Sequence, residues 1–311
     1  MTIIINESND GFSVKEFLFK TLGFSVASVK RVKYREGGIL VNGEQVTVRR
    51  ILKAGDELSL ALEDRDEDEN EYTVPVDIDI DVVYEDDFVT AVNKPPSMPA
   101  HPSLGHKDDT VANALAYRYR AAPYVFRPVN RLDRDTSGLM LIARDKVSAG
   151  KLYSSMRRGE IKKSYVAVLE GEIYPASGRI ETYMCRESDS IVKRMVCDET
   201  APGAKLAVTE YRTLFCGGNY SVVKATPVTG RTHQLRVHFA SSGHPIVGDT
   251  MYGSASDFIS RQMLHASSLS FPHPKTGDRV SLTADFPEDF IYAFSQMGID
   301  PDGLVSELKI E

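Results

Sequence analysis

The acidic run EDRDEDENE at residues 63–71 is the feature that most restricts how this chain can fold. It carries seven acids, one base and no apolar side chain, so it has nothing to bury and is expected to stay solvated. The charge also changes sign there: residues 12–53 hold nine bases and three acids, whereas the whole chain has a net charge of −7. We therefore predict three parts: a small basic module at residues 1–62, an acidic linker at 63–75 and a larger domain at 76–311.

The pattern of the basic module predicts two short helices followed by a hairpin. Apolar spacing favours a helix over residues 13–22, and Ser25 is a candidate cap for a second helix that runs through Lys33. Asn42-Gly43 lies between two β-rich runs, which is the strongest short hairpin signal. A basic helix beside a two-stranded ribbon suits a phosphate backbone, so we expect nucleic-acid contacts from Lys30, Arg31 and Lys33. The alternative is an ordinary solvated, charged face.

Length and composition indicate a globular protein. The 311 residues are 42% hydrophobic and 26% charged, which allows a sizeable core and suggests about two domains. The chain begins without a basic stretch leading into a long apolar segment, and no run approaches the length of a membrane span. We therefore expect a cytoplasmic protein with no membrane partner. The three cysteines include no CxxC pair, so we expect reduced, mostly buried thiols and no zinc knuckle.

Beyond the linker, β patterns dominate. Apolar residues alternate with aspartates over residues 76–82, which predicts a half-buried strand. Asp145 is expected to cap a helix over residues 146–161. Further strands are predicted at FVTAVNKP, GLMLIARD, KKSYVAVLEGEI, VTEYRTLF and YSVVKATPV. Because neighbouring strands are joined by hairpins, we predict an α+β domain with a mixed, mainly antiparallel sheet and inserted helices, next to a small amino-terminal α/β module.

The stretch VNRLDRDTSG at residues 129–138 concentrates charge just before a predicted strand. It places Asp133 and Asp135 beside Arg131 and Arg134. A loop that enters a sheet can hold one carboxylate toward a cleft. Taken alone, however, such a triplet is more often an Asx turn or a surface ion pair.

Three long motifs favour a functional role for this stretch over a simple turn or surface ion pair. NRLDRDTSGLMLIARD, KKSYVAVLEG and TPVTGRTHQLRVHFASSGHPIVGD occur in this order, preceded by NKPPSMPAHPS and followed by RQMLHA. Together they resemble the RNA pseudouridine synthases of the large-subunit-rRNA type, the RluA, RluC and RluD family, across about residues 80–290. The segment VKRVKYREGGILVNGEQVTVRRILKAGDEL is similar to a small RNA-binding module named after a ribosomal protein of the small subunit. RluC- and RluD-like members carry such a module.

The resemblance implies roles for individual residues. Asp133 matches the catalytic aspartate of the family, Tyr165 the tyrosine that stacks on the target base, and Arg231 the arginine that pairs with the aspartate. Arg131 matches the arginine implicated in turning the uridine out of the RNA. Arg236 is the alternative for the pairing role, and we otherwise group it with the RNA-binding residues.

The chemistry of the reaction agrees with these roles. Conversion of uridine to pseudouridine breaks a glycosidic C–N bond and rejoins the uracil through C5, so no redox change is needed. One carboxylate can attack, stabilise positive charge at the anomeric carbon or take a proton from the sugar. His233 and His238 are spaced i, i+5, about 140° apart on a helix, and so cannot readily share an ion. We expect no metal and no cofactor.

Two other functions stay open on the sequence, and two positions depart from the family pattern. The alternatives are a non-catalytic RNA-binding or ribosome-assembly factor, and a glycoside hydrolase that uses Asp133 with a second carboxylate. The one obvious partner is Asp135, which alternation turns away from Asp133 if the segment is extended. The position before RLD is often histidine and here is Asn130, and the KPxG motif ends in Ser97 instead of glycine. The expected partner is RNA, most directly ribosomal RNA with tRNA as the alternative, and the expected state is a monomer.

Overall fold

The chain folds into two separate β-sheets with helices packed against the larger one. The computed structural model describes residues 2–22, 24, 29, 32–33, 37–61, 73–103, 105–122, 124–190 and 192–305. The strands are β1 (Thr2–Ile4), β2 (Ile39–Val41), β3 (Glu44–Gln45), β4 (Glu57–Leu60), β5 (Asp81–Glu85), β6 (Val89–Lys94), β7 (Arg127–Pro128), β8 (Ser137–Ala143), β9 (Lys162–Glu170), β10 (Ser177–Arg186), β11 (Arg194–Cys197), β12 (Lys205–Gly217), β13 (Tyr220–Pro227), β14 (Leu264–Pro272) and β15 (Arg279–Thr283).

The helices are short and mostly lie between strands. A 3₁₀ turn spans Glu7–Asn9, and a π-helical segment, Phe17–Thr21, continues the first α-helix. The α-helices are α1 (Val14–Glu16), α2 (Val111–Arg118), α3 (Lys146–Arg157), α4 (Gln234–Ser241), α5 (Glu288–Met297) and α6 (Pro301–Val305). Within the described ranges, no helix combines the length and apolar character that crossing a membrane would require.

The small sheet has the strand order β1-β4-β2-β3 and its own buried core. Ser13 caps α1 through a reciprocal bond with Glu16, which satisfies two backbone donors at the helix start. Asn42 and Gly43 both have positive φ, 53° and 81°, as a two-residue type I′ hairpin requires. The predicted hairpin is therefore confirmed.

Part of the predicted basic surface lies outside the described residues. Ser25, Lys30 and Arg31 lie outside the described residues, and Lys33 is exposed. The predicted division into module, linker and domain stays a prediction, because residues 62–72 also lie outside the described ranges.

The large sheet has eleven strands in the order β11-β10-β12-β13-β9-β14-β8-β6-β5, with β15 on β14 and β7 on β8. All of its pairings are antiparallel except that of β14 with β8. The predicted class, a mixed and mainly antiparallel sheet with inserted helices, is confirmed. β8, β9 and β14 form the middle of the sheet and are almost wholly buried. Each fully buried Leu or Ile side chain contributes about 1.5–3 kcal/mol there.

Two details differ from the sequence predictions. The strand predicted over residues 76–82 begins only at Asp81, although burial alternates from Val76 onward. The backbone N–H of Val76 donates to the carbonyl of Asn113 in α2, and the side chain of Asn113 donates to the carbonyl of Val74. This segment therefore contacts a helix and keeps one half-buried face. The cysteines are not mostly buried: Cys185 and Cys197 are half-buried and Cys216 is exposed.

Candidate active site

An open cavity of about 840 Å³ lies where the loop before β8 meets β9 and the start of α4. Its wall contains Arg131, Asp133, Tyr165, Arg231 and Arg236. The fold therefore gathers five of the predicted site residues, which are spread over more than a hundred positions of sequence, around one space.

The loop that carries Asp133 is held by two buried cations. Lys94 is fully buried, and its Nζ donates to the carbonyl of Arg134 at 2.8 Å. Arg261 is also buried, and its Nη1 donates to the carbonyl of Asp135 at 3.0 Å. Because these carbonyls belong to the two residues after Asp133, the two hydrogen bonds fix the backbone next to the carboxylate. Neither cation was among the predicted site residues, although NKPP and RQMLHA contain them.

Burial has an electrostatic cost for Lys94. Desolvation, with a further contribution from the positive charge of Arg261, lowers the pKa of Lys94 to about 7. Its ammonium also donates to the carbonyls of Pro95, 2.7 Å away, and Met98, 2.9 Å away. Three carbonyl acceptors surround the charge, which offsets part of the desolvation cost.

Close backbone contacts complete the support of this loop. Gly138 has φ +109°, and a Cβ on it would lie 2.3 Å from the carbonyl oxygen of Ala266 in β14. Asn130 is buried, accepts a hydrogen bond from the N–H of Leu141 and donates to the carbonyl of Leu139. The asparagine at the position that is often histidine therefore ties the loop to β8.

Arg236, not Arg231, contacts Asp133. Nη1 of Arg236 lies 3.4 Å from Oδ2 of Asp133. The same guanidinium makes two bonds of 2.7 and 2.8 Å to the buried carboxylate of Asp249. The structure thus places the contact on the residue that the sequence offered as the alternative, and the pairing role of Arg231 stays a prediction.

The position of Arg231 follows from the loop before α4. Its backbone N–H donates to Oε1 of Gln234, and its Nε donates to the carbonyl of Leu206 at 2.9 Å. The side chain is consequently exposed and extends along β12 at the rim of the cavity.

Tyr165 and Arg131 lie at different depths. Tyr165, on β9, is only 7% exposed, and burial, followed by the negative charge of Asp133, raises the pKa of its hydroxyl. It therefore stays a neutral phenol. Arg131 is exposed at the mouth of the cavity, two residues before Asp133, where a cation can meet an incoming polyanion.

The two histidines of the GRTHQLRVH motif have different surroundings. His238 is buried, with Nδ1 2.9 Å from Oγ1 of Thr209 and Nε2 3.1 Å from Oγ1 of Thr182; burial lowers its pKa to about 4. His233 lines the cavity, and its Nε2 lies 3.9 Å from Oδ2 of Asp133. His238 thus lies in the protein interior, whereas His233 faces the cavity.

The second carboxylate of the DxD pattern is engaged elsewhere. Asp135 accepts two hydrogen bonds, of 3.0 and 2.9 Å, from the guanidinium of Arg134. Among the residues that the structure describes, no group of three or more His, Cys, Asp or Glu side chains could hold a metal ion.

Comparison with known proteins identifies the family. The profile described as RNA pseudouridylate synthase matches residues 89–241. The protein named uncharacterized RNA pseudouridine synthase YjbO from Bacillus subtilis is 36% identical over 279 residues, covering 89% of this chain and 96% of that protein. Ribosomal large subunit pseudouridine synthase D from Neisseria meningitidis is 34% identical over 291 residues, covering 89% of this chain and 76% of that protein.

A solved structure agrees. Human RNA pseudouridylate synthase domain containing 1 superimposes with a TM-score of 0.55 and 31% identity, covering 67% of this chain and 84% of that one. The extent of these matches, together with the motifs around the cavity, shows that this chain belongs to the RNA pseudouridine synthases, isomerases that convert uridine to pseudouridine in RNA.

Proposed function

We propose that this enzyme isomerises specific uridines of structured RNA, most directly ribosomal RNA, and that Asp133 performs the chemistry. The observation that carries the proposal is the carboxylate of Asp133, which faces an open cavity between Tyr165 and the guanidinium of Arg236. Ribosomal RNA is the preferred substrate class because relatives such as the Neisseria protein are named for the large ribosomal subunit. tRNA is the alternative.

The reaction needs one ionised carboxylate and no external reactant. The bond between the anomeric carbon and N1 breaks, a bond from the same carbon to C5 forms, and the proton lost from C5 is balanced by one gained at N1. Asp133 attacks the anomeric carbon, stabilises its positive charge or takes a proton from the sugar while the uracil is detached.

Arg236 contacts the carboxylate of Asp133 and helps to hold it in place. Its side chain is 8% exposed, whereas that of Asp133 is 28% exposed, so the pair lies at the boundary between the protein interior and the cavity. A guanidinium can bind one oxygen of a carboxylate and leave the other oxygen free to face the cavity. Asp249 holds the guanidinium from the opposite side and prevents it from turning away from Asp133.

Tyr165 and Arg131 would contact the target nucleotide and its surroundings. Tyr165 offers a flat, buried ring beside Asp133 on which a detached uracil can stack. A base inside a helical stack cannot reach that ring, so the nucleotide must leave the stack first. Arg131, exposed at the mouth, would occupy the vacated place or hold the adjacent phosphate.

The remaining predicted residues would bind the RNA at positions distant from the reacting base. Arg231 lies at the rim of the cavity, where it would bind a flanking phosphate. Lys30, Arg31 and Lys33 would add backbone contacts from the amino-terminal module and so favour a large RNA.

The test is pseudouridine mapping of total RNA by carbodiimide-dependent primer-extension stops. Cells that lack the protein would be complemented with the wild type, with Asp133→Asn or with Asp135→Asn as the matched control. We expect stops that vanish on deletion and return with the wild type and Asp135→Asn but not with Asp133→Asn. The RNA in which the stops lie identifies the substrate.

Two results would contradict the proposal. If no stop depends on the protein, a non-catalytic role in RNA binding or ribosome assembly takes its place. If Asp133→Asn restores the stops, the catalytic role moves to another residue.

A further inference from the structure

His233 occupies an unusual backbone position beside the catalytic aspartate. It caps the start of α4 with φ 56° and ψ 20°, in the left-handed region. Asn42 and Asn219, two other described non-glycine residues with positive φ, belong to tight turns between paired strands. A strained backbone next to a functional group suggests that the placement of this side chain matters.

The hydroxyl of Tyr252 lies within hydrogen-bond distance of the ring of His233. The hydroxyl oxygen of Tyr252 accepts a hydrogen bond of 2.9 Å from the backbone N–H of Arg194. Nδ1 of His233 lies 2.9 Å from the same oxygen. Because that oxygen already accepts one bond, the arrangement that uses every group has the tyrosine O–H donating to Nδ1. In a neutral ring the proton then lies on Nε2.

The surroundings of His233 favour the neutral ring. Burial is the largest influence and lowers the pKa of His233; Arg236 adds to this effect, whereas Asp133 opposes it. The guanidinium of Arg236 also lies over the ring of Tyr252, 5.1 Å from its centroid. Besides the histidine, Tyr252 therefore contacts the backbone of Arg194, the side chain of Arg236 and, through its own backbone N–H, the carboxylate of Asp249.

We propose that His233 is a positioning residue for Asp133: Tyr252 fixes its ring with the proton on Nε2, and this N–H is the second donor to the carboxylate. Oδ2 of Asp133 then faces two donors, Nη1 of Arg236 at 3.4 Å and Nε2 of His233 at 3.9 Å. Both distances exceed the usual hydrogen-bond length, as is common before a substrate binds. When RNA fills the cavity, the two donors close on Oδ2 and leave Oδ1 directed at the sugar. This inference rests on the function proposed above for Asp133.

The first test observes the proton directly. Nitrogen-15 chemical shifts of the histidine rings, measured by long-range proton–nitrogen correlation on the full-length protein, distinguish the two neutral forms. His233→Gln identifies the resonance by its loss. We expect the wild-type ring to be protonated at Nε2 and the Tyr252→Phe ring to be a mixture. A wild-type ring protonated at Nδ1 would overturn the proposal.

The second test separates donation from structure. His233→Gln retains an N–H near the position of Nε2, whereas His233→Leu does not, and both side chains impose the same backbone strain. Because hydrogen bonds to charged groups are strong, we expect His233→Leu to lower the single-turnover rate with saturating RNA by about 10- to 100-fold. We expect His233→Gln to stay within about threefold of the wild type, and both variants to bind RNA with unchanged Kd.

The outcomes distinguish this inference from the proposed function. If the wild type forms no pseudouridine, the proposed function fails. If the wild type is active and His233→Leu equals it, or if His233→Gln is as slow as His233→Leu, only the role of His233 as a donor fails.

Discussion

Ser97 departs from the family pattern at a position where the backbone has a positive φ. It stands where the KPxG pattern has glycine, and its φ is 60°. A side chain in this region meets its own backbone, whereas glycine adopts it freely. Ser97 therefore holds a strained backbone conformation three residues after the buried Lys94.

Ser97→Gly should therefore stabilise the protein. We expect the free energy of unfolding to rise by about 0.5–1 kcal/mol in urea denaturation, because the strain at positive φ is removed. Ser97→Ala is the matched control, since it removes the hydroxyl and keeps Cβ. A gain that alanine reproduces would attribute the effect to the hydroxyl and not to the backbone.

The two arginines of the GRTHQLR motif should differ sharply when each is replaced by lysine. Arg236 bridges Asp133 and Asp249 with a planar fork that lysine cannot reproduce, so we expect Arg236→Lys to lower pseudouridine formation by about 100-fold or more. Arg231 bonds a backbone carbonyl at the surface, so Arg231→Lys should cost less than about tenfold. Initial rates on one RNA compare them, and equal losses would restore Arg231 to the pairing role.

At the scale of elements, the site depends on the parallel contact between β8 and β14. His265 pairs with Ser137 and Ala266 with Gly138 in this short junction. The approach is so close that only a residue without Cβ fits at position 138.

Gly138→Ala should be strongly destabilising. The added Cβ would meet backbone atoms of Ala266 at 2.3 to 2.7 Å, so the strands must separate, and we expect a loss of about 3–5 kcal/mol. Gly159→Ala is the control, because its φ is +71° but its Cβ would meet nothing within 4 Å; it should cost about 1 kcal/mol. Urea denaturation compares the two, and similar losses would show that φ, not the contact, determines the cost.

The same junction should make stability depend on pH. Burial lowers the pKa of His265 to about 4, below the value of about 6.5 for an unfolded histidine. Between these values the unfolded chain binds the proton and the folded protein does not, so stability falls as pH falls through this window. From pH 7 to pH 5 we expect His265 to account for a loss of roughly 2 kcal/mol.

Urea unfolding of His265→Gln at both pH values measures this contribution. The variant should show a smaller difference between pH 7 and pH 5 than the wild type. His238→Gln should act in the same direction, because burial lowers the pKa of His238 to about 4 as well. The free energy of unfolding of the double variant should depend on pH less than that of either single variant. An unchanged difference in His265→Gln would mean that His265 titrates alike in both states.

At the scale of the whole molecule, RNA affinity and catalysis are predicted to reside in different parts of the chain. Replacing Lys30, Arg31 and Lys33 together by alanine should weaken RNA binding and reduce the slope of log K against log salt by about 3. The turnover number with saturating RNA should stay unchanged, because Asp133 and its partners are untouched. An unchanged slope with lower turnover would contradict this division of tasks.

The sequence predicted six of the eleven strands of the large sheet, because alternating apolar residues and hairpin turns are local signals. It did not predict β7, β10, β11, β14 or β15. Asp145 as the cap of α3 and the strand carrying Tyr165 follow from neighbouring residues alone. The contact between Arg236 and Asp133 could not be derived this way, because it depends on how α4 packs against the sheet. Arg231 instead donates a hydrogen bond to the carbonyl of Leu206. Lys94 and Arg261 were missed because only the folded chain brings their charges under Asp133.

The contact between Arg261 and the carbonyl of Asp135 joins residues that are 126 positions apart. It has a consequence during protein synthesis. The ribosome releases the aspartate early and its support much later, and contacts across such distances form slowly. A growing chain that already displays RLDRD thus lacks the contact that fixes the backbone after Asp133 until Arg261 has been synthesised.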